Sequence, residues 1–187
     1  MTMYIMRPVR GEDMADVMEL ARLSGAGFTS LPEDENLVAD KIAASMKAFS
    51  GETATDKSGQ YFMMMEALDT GEVVGSSAVK CGTGIHRPFF NYRIITLSQA
   101  SQSADKRFDL DALVLTNEYI GYVEVGTLFI KAEHRGGGAG RLAAQSRYLL
   151  MATNPLHFGD KVLAELRGII DDAGNTPCLL YTSDAAD

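Results

Sequence analysis

The sequence is poor in cysteine, lacks an excess of basic residues and has no long apolar run. Its two cysteines, Cys81 and Cys178, are too few and too far apart in sequence to form a disulfide scaffold, which favours a reducing cytoplasm. The 25 Asp and Glu residues outnumber the 17 Lys and Arg residues, and the net charge of −8 argues against nucleic acid or an anionic membrane surface as the main partner. No window approaches about eighteen apolar residues, so we expect no membrane span.

Apolar residues are nevertheless abundant enough for a folded domain. They make up 46% of the 187 residues, which suits a single domain with a substantial core. Residues 1–14 contain no basic segment followed by a long apolar one, so we expect no signal peptide. The sequence contains no internal repeat and no low-complexity tract.

Hydrophobic periodicity predicts the element order β-α-α-β-β, an irregular insert, and then β-α-β. Acidic residues in the first turn and glycines at the end delimit the first helix, and a Gly-containing turn joins two apolar strands into a hairpin. The predicted elements are strand 4–9, helix 12–24, helix 35–49, strands 60–68 and 73–82, two strands in the insert at 92–99 and 110–115, strand 123–130, a helix after residue 140, and strand 161–170.

Two apolar patterns indicate which residues form the core. Leu37, Val38, Ile42, Met46 and Phe49 share one face of the second predicted helix. Three consecutive methionines at residues 63–65 are compatible with a metal site or a flexible binding surface. A strand buried on both faces gives the same pattern, and we favour this interpretation because methionine commonly fills gaps in cores.

The segment EHRGGGAGRL, residues 133–142, places four glycines between a predicted strand and a predicted helix. Glycine loses backbone entropy wherever it is fixed, so such a cluster needs a geometric reason, either positive φ angles or the close approach of another group. A helix N-terminus offers unpaired N–H donors and the positive end of the helix dipole. The segment therefore predicts a site where backbone amides bind an anion, with phosphate as the expected group.

Two common phosphate-binding loops fit this segment poorly. The P-loop requires a Lys-Ser or Lys-Thr pair after its last glycine, and none follows Gly140. The dinucleotide fingerprint G-x-G-x-x-G fails whether it starts at Gly136 or at Gly138, because Arg141 or Ala143 then stands where its last glycine belongs. The looser form that ends in alanine fits when the motif starts at Gly138. A flexible connection without a ligand is a further alternative.

The pattern Arg135-x-x-Gly138-x-Gly140 resembles the pyrophosphate-binding motif of the GCN5-related N-acyltransferase (GNAT) superfamily, which also lies between a strand and a helix. Five segments narrow the resemblance to the arginine N-succinyltransferase family, namely RPV, GFTSLP, NYR, TLFI and AELRGIID, which start at residues 7, 27, 91, 127 and 164. The similarity ends near residue 177. We therefore expect residues 1–177 to form an incomplete acyl-CoA-binding N-acyltransferase domain and residues 178–187 to form a tail unlike the family.

The resemblance implies an α/β (α+β) fold, a GNAT-like mixed and mostly antiparallel sheet with flanking helices, truncated at its C-terminal end. It also implies a cytoplasmic enzyme of arginine catabolism that transfers a succinyl group from succinyl-CoA to the α-amine of L-arginine. No permanently bound cofactor and no metal are expected. Because an incomplete domain leaves a sheet edge or an apolar face uncovered, we expect a homo- or hetero-oligomer.

The resemblance assigns roles to particular residues. The loop amides would bind the CoA pyrophosphate, the pantetheine arm would lie along the strand that starts at residue 123, where it splays from residues 162–166, and Glu124 would be the base for the substrate amine. A solvated carboxylate is the alternative for Glu124, and a structural ion pair is the alternative for the two arginines assigned to substrate carboxylates. The cofactor-binding residues are Leu128, Phe129, Ile130, Arg135, Gly136, Gly137, Gly138, Ala139, Gly140 and Arg141, and the substrate-binding residues are Arg93 and Arg167.

Family members continue for about as long again, and the histidine proposed as their proton donor lies in that further part. His86, His134 and His157 do not match it and inherit no role. Three other functions stay open: an amine or amino-acid acetyltransferase that uses acetyl-CoA, an inactive CoA-binding fragment, and a nucleotide-binding regulatory module.

Overall fold

The computed structural model describes residues 2–25, 27–51, 59–101, 103, 105–166 and 168. Within these ranges, no helix combines the length and the apolar character needed to cross a bilayer. The elements in chain order are β1 (Tyr4–Pro8), α1 (Met14–Ser24), α2 (Glu35–Phe49), β2 (Gly59–Ala67), β3 (Val73–Cys81), β4 (Asn91–Ser101), β5 (Lys106–Thr116), β6 (Val123–Ile130), α3 (Ala139–Thr153), α4 (Pro155–Phe158) and β7 (Val162–Leu163).

Five strands form the main sheet, in the spatial order β1-β2-β3-β6-β7. The pairs β1–β2, β2–β3 and β3–β6 are antiparallel, and only β6 and β7 run parallel. The sheet is therefore mixed and mostly antiparallel, as predicted. The element order β-α-α-β-β before the insert is confirmed as well, and so is the order β-α-β after it, apart from the additional short helix α4.

Helices cover both faces of this sheet. Met64 belongs to the core cluster that contains Val17 of α1 and Val38 of α2, whereas the next residue, Met65, packs with Ala143 of α3. Because consecutive strand residues point to opposite faces, α1 and α2 cover one face and α3 covers the other. All three methionines at residues 63–65 are buried, which confirms the core interpretation.

The buried face of α2 matches the predicted one in part, since Val38 and Ile42 are buried as predicted. Its bounds agree with the prediction, but Leu37 is 51% exposed and Met46 is 47% exposed. Ser45 and Ala48 are buried instead, and the Ser45 hydroxyl accepts a hydrogen bond from the Phe62 amide at 2.8 Å. The small side chains of Ser45 and Ala48 thus lie inward beside Val38 and Ile42, in place of Leu37 and Met46.

The insert is a long hairpin rather than an irregular segment. β4 and β5 pair antiparallel from Asn91↔Thr116 to Ser101↔Lys106, and within the described part of the chain they join no strand of the main sheet. Ile94 and Leu113, which are paired across the hairpin, are both about two-thirds exposed. Since a two-stranded hairpin is only marginally stable alone in water, this exposed apolar surface is unusual.

The last predicted strand is much shorter than expected. β7 contains only Val162 and Leu163, which pair with Val123 and Glu124, and the prediction of a buried strand over 161–170 is wrong for its described part. Val162 is 42% exposed and Leu166 is 92% exposed. Neither side chain is buried by the described residues, and residues 167, 169 and 170 lie outside them.

Candidate active site

The glycine loop before α3 has a backbone that only glycine adopts easily. Gly136, Gly137 and Gly138 have φ angles of +97°, +55° and +95°. Three consecutive residues in the left-handed region would each cost other amino acids about 1–2 kcal/mol. A Cβ atom at any of the three would meet no atom within 4 Å, so the conformation and not a lack of space selects glycine here.

Most amides of this loop remain available to a ligand. The Ala139 amide donates to the Gly136 carbonyl at 3.1 Å, and the Leu142 amide donates to the Gly138 carbonyl at 2.9 Å. The amides of Gly136, Gly137 and Gly138, which are all described, donate no hydrogen bond to any described group. They precede the first turn of α3, where the helix dipole favours negative charge, so the loop can bind an anion through its backbone.

Gly140 and the two flanking arginines differ in their surroundings. Gly140 lies in the first turn of α3 with a negative φ, and a Cβ there would meet nothing within 4 Å. Arg135 folds back on β6, since its Nε donates to the Ile130 carbonyl at 2.9 Å and its guanidinium lies 5.6 Å from the centre of the Phe129 ring. Arg141 is exposed and has no partner among the described residues, so its guanidinium can bind an anion beside the loop.

A β-bulge interrupts β6 just before the loop. Ser76 is paired with Phe129 and Ala78 with Gly126. Between these pairs, Thr127 and Leu128 of β6 lie opposite the single residue Ser77 of β3, so β6 contains one extra residue. Thr127 has a φ of +51°, which is a true outlier for a β-branched residue. Such strain persists only where the surroundings hold it, and it is concentrated at functional sites.

Side chains from two other elements hold this bulge. The Ser76 hydroxyl donates to the Thr127 carbonyl at 2.9 Å, and the Lys41 ammonium of α2 donates to the Thr127 hydroxyl at 3.3 Å. On the other side of β6, β7 pairs only with Val123 and Glu124. Within the described residues, the stretch of β6 that contains Leu128, Phe129 and Ile130 therefore lacks a strand partner on that side.

Glu124 lies four residues before Leu128 on the same strand. Its side chain is 16% exposed, and its carboxylate is 3.5 Å from the Lys80 ammonium on β3. Because β7 pairs with β6 at this position, Glu124 is not on a sheet edge. The structure thus places a half-buried carboxylate, balanced by one lysine, close to the bulge.

Lys41 was not among the residues predicted from the sequence. Its ammonium also donates to the Ser30 carbonyl at 2.8 Å and lies 5.0 Å from the centre of the Phe62 ring. Burial lowers the pKa of Lys41 to about 8, while the charge of Glu124 acts in the opposite direction. The sequence carried a partial signal, because Lys41 follows Val38, which belongs to the predicted apolar face of α2, by three residues.

Of the two arginines assigned to substrate carboxylates, the structure describes only Arg93, and it does not bring Arg93 to this site. Arg93 lies on the exposed hairpin and donates to the Glu118 carboxylate, which raises the pKa of Arg93 above its ordinary value. That contact agrees with the alternative of a structural ion pair. Arg167 lies outside the described residues. Of the histidines, His134 bonds to the Tyr4 hydroxyl at 3.1 Å and His157 to the Tyr61 hydroxyl at 2.8 Å.

Comparison with known proteins agrees with this geometry. A family model described as arginine N-succinyltransferase beta subunit matches residues 4–181. The arginine N-succinyltransferases of Enterobacter sp. (strain 638) and Salmonella newport (strain SL254) are 38% and 39% identical over 175 residues, which are 94% of this chain and 51% of each relative. The chain thus spans about half the length of the curated relatives that it matches.

A solved structure agrees as well. The arginine/ornithine succinyltransferase subunit AI from Pseudomonas aeruginosa superposes with a TM-score of 0.87 and 32% identity, over 95% of this chain and 54% of that one. This likeness confirms the predicted fold class. Since the family match extends over nearly the whole sequence, the chain belongs to the arginine N-succinyltransferase beta subunit family.

Proposed function

We propose that this chain carries the acyl-CoA site of an enzyme that transfers a succinyl group from succinyl-CoA to the α-amine of L-arginine. The observation that carries the proposal is the row of three left-handed glycines with free amides before α3, next to a strained bulge in β6. The identities of the acyl group and of the amine are inferred from the names of the relatives. A succinyl-CoA molecule would place its diphosphate on Gly136, Gly137 and Gly138 and on exposed Arg141.

Acyl transfer requires that the amine nitrogen be neutral when it attacks the thioester carbonyl. The C–N bond forms as the C–S bond breaks, and CoA leaves as the thiol after it gains a proton. In this proposal the Glu124 carboxylate takes the proton from the amine, directly or through a water molecule. Main-chain amides at the bulge, with Leu128 first, would stabilise the negative charge that develops on the carbonyl oxygen.

Gly140 allows the sharpest test of the loop. Leucine at this position should leave the fold intact and stabilise α3 by up to about 1 kcal/mol, because glycine is a poor helix former and the space around it is open. The same side chain would occupy the space beside the loop amides. We expect calorimetry to show that Gly140→Leu loses at least tenfold in affinity for succinyl-CoA and for CoA.

The matched control is Gln145→Leu, an exposed position on the same helix, which should bind as the wild type does. Substitution at Gly138 is less informative because its φ of +95° would strain any other residue. Unchanged affinity in folded Gly140→Leu would remove the loop from the site. Binding of CoA without formation of succinylarginine from arginine and succinyl-CoA would instead identify an inactive CoA-binding fragment.

A further inference from the structure

Two lysines enter the interior of this fold, and they differ in how their charge is balanced. The Lys131 ammonium lies 2.8 Å from a carboxylate oxygen of Glu19 and 2.8 Å from one of Glu72. The Lys41 ammonium has two hydrogen-bond acceptors, the Ser30 carbonyl and the Thr127 hydroxyl, and both are uncharged. Among the described residues, no carboxylate lies within 4.0 Å of Lys41.

An inward-facing ammonium with neutral acceptors is an unfavourable arrangement. Removing a charge from water is costly unless an opposite charge and a full set of hydrogen bonds replace the solvent. An ammonium has three protons, and the described contacts use two of those on Lys41. Among the described residues, one donor of Lys41 therefore has no acceptor, and its positive charge is offset only by Glu124 beyond ion-pair distance and by the Phe62 ring at 5.0 Å.

The position of Lys41 indicates which group this is. Its ammonium touches Thr127 in the bulge of β6, on the face of the sheet that carries Glu124 and that α2 covers. In the proposed function, the thioester carbonyl lies at this bulge. A succinyl group carries a free carboxylate two methylene groups beyond that carbonyl, whereas an acetyl group carries none.

We propose that Lys41 binds the free carboxylate of a dicarboxylic acyl-CoA donor and thereby selects succinyl over acetyl. This inference rests on the proposed function, because it needs the thioester at the bulge. Binding would supply the negative charge that Lys41 lacks in the free chain. It would also add a charge-assisted hydrogen bond that acetyl-CoA cannot make.

The test compares Lys41→Met, which keeps the length of the side chain and removes its charge, with Lys47→Met, the same change at an exposed lysine of α2. Calorimetry would measure dissociation constants of both variants and the wild type for succinyl-CoA, acetyl-CoA and CoA. We expect wild type and Lys47→Met to prefer succinyl-CoA over acetyl-CoA. Lys41→Met should bind succinyl-CoA about thirtyfold more weakly and acetyl-CoA with less than threefold change.

A second measurement uses the wild type alone and does not depend on the stability of a variant. The preference for succinyl-CoA should decline above about pH 8, where the Lys41 ammonium loses its proton in the free chain. The charges acting on Lys41 are Glu124 on β6 and Lys80 on β3. Among the other elements packed against α2, β2 and α1 present Phe62 and Leu20, which do not titrate, whereas β1 and the turn Gly11–Asp13 carry Arg7 and Asp13, which form an ion pair with each other.

The possible results separate this inference from the proposed function. A preference for succinyl-CoA that persists in Lys41→Met, or that is constant from pH 7 to pH 9.5, would overturn the role of Lys41 and leave the CoA site in place. Equal affinity of the wild type for both donors would do the same. If the wild type bound no CoA compound at all, both proposals would be wrong. If Lys41→Met changed only the Michaelis constant for arginine, Lys41 would bind the acceptor and the inference would fail.

Discussion

Replacing Lys41 with methionine should make the folded chain more stable at pH 7, even though the substitution removes two hydrogen bonds. Most changes at inward-facing positions destabilise a protein. Lys41 is an exception because its charge has no opposite partner within ion-pair distance among the described residues. Methionine matches the length and shape of the lysine stem and carries no charge.

The magnitude follows from the proton equilibrium of Lys41. Burial lowers its pKa from 10.5 to about 8, which corresponds to about 3 kcal/mol that disfavours the folded, charged state. The two lost hydrogen bonds, to Ser30 and Thr127, offset about 1 kcal/mol each. The net gain is about 1 kcal/mol at pH 7, or a rise in Tm of about 2–4 °C for a chain of this size.

The stability of the fold should depend on pH in the opposite direction from that of a fold with a salt-bridged lysine. Because the folded pKa of Lys41 lies below its unfolded value, the unfolded chain binds more protons between about pH 8 and pH 10.5. The stability of the wild type therefore rises with pH in this window as the folded state escapes the cost of the charge. The advantage of Lys41→Met should shrink above pH 8, disappear at about pH 9 and reverse at higher pH, where only the two lost hydrogen bonds still count.

Urea unfolding of wild type, Lys41→Met and Lys47→Met at pH 7, 8, 9 and 9.5 measures these differences. Lys47→Met should follow the wild type at every pH, because Lys47 is exposed. A Lys41→Met chain that is less stable than the wild type at pH 7 would refute the reasoning. The main role of Lys41 would then be to stabilise the fold by linking the loop at Ser30 to the bulge at Thr127, without binding an anionic ligand.

Three further predictions address other parts of the molecule. Glu124→Gln should lower turnover with arginine and remove the acidic limb of the pH profile of kcat/KM, and an unaltered profile would exclude the base role. Asp13→Asn should destabilise the fold by about 1–3 kcal/mol in urea unfolding, because Arg7 would lose its charged contacts of 2.7 and 2.8 Å to Asp13 and keep only its ion pair with Glu66 at 2.6 Å. The double variant Ile94→Lys, Leu113→Glu should lower the mass of the chain in sedimentation if the exposed hairpin mediates the expected oligomer, and an unchanged mass would assign association to another surface.

Much of the fold could be predicted because its signals are local. The glycines that end α1, the continuous apolar runs of the buried strands and the acidic residues in the first turn of α1 each depend on a few neighbouring residues. Bounds such as those of α2 agree for this reason. Hydrophobicity alone could not show that Ser45 lies on the inward face of α2. Its burial is compensated by hydrogen bonds to the backbone of Phe62 and not by apolar character.

The candidate site was only partly predictable because it joins distant segments. The glycine loop is contiguous, so its residues could be named from a single motif. The contact between Lys41 and Thr127 links residues 86 positions apart, and the left-handed backbone of Thr127 has no sequence signature of its own. Arg93 was assigned by its chemistry alone, and the hairpin that carries it pairs with no strand of the main sheet within the described residues.

Two unfavourable features meet at the bulge of β6, and their coincidence supports a ligand at this point. The left-handed conformation of Thr127 costs about 1–3 kcal/mol, and a glycine would remove that cost. The unbalanced charge of Lys41 would be removed by methionine. The same fold balances Lys131 with two carboxylates, so nothing in its architecture prevents a buried lysine from being paired. A donor carboxylate would supply the missing charge, so succinyl-CoA should raise the Tm of the wild type more than acetyl-CoA does, and this difference should vanish in Lys41→Met.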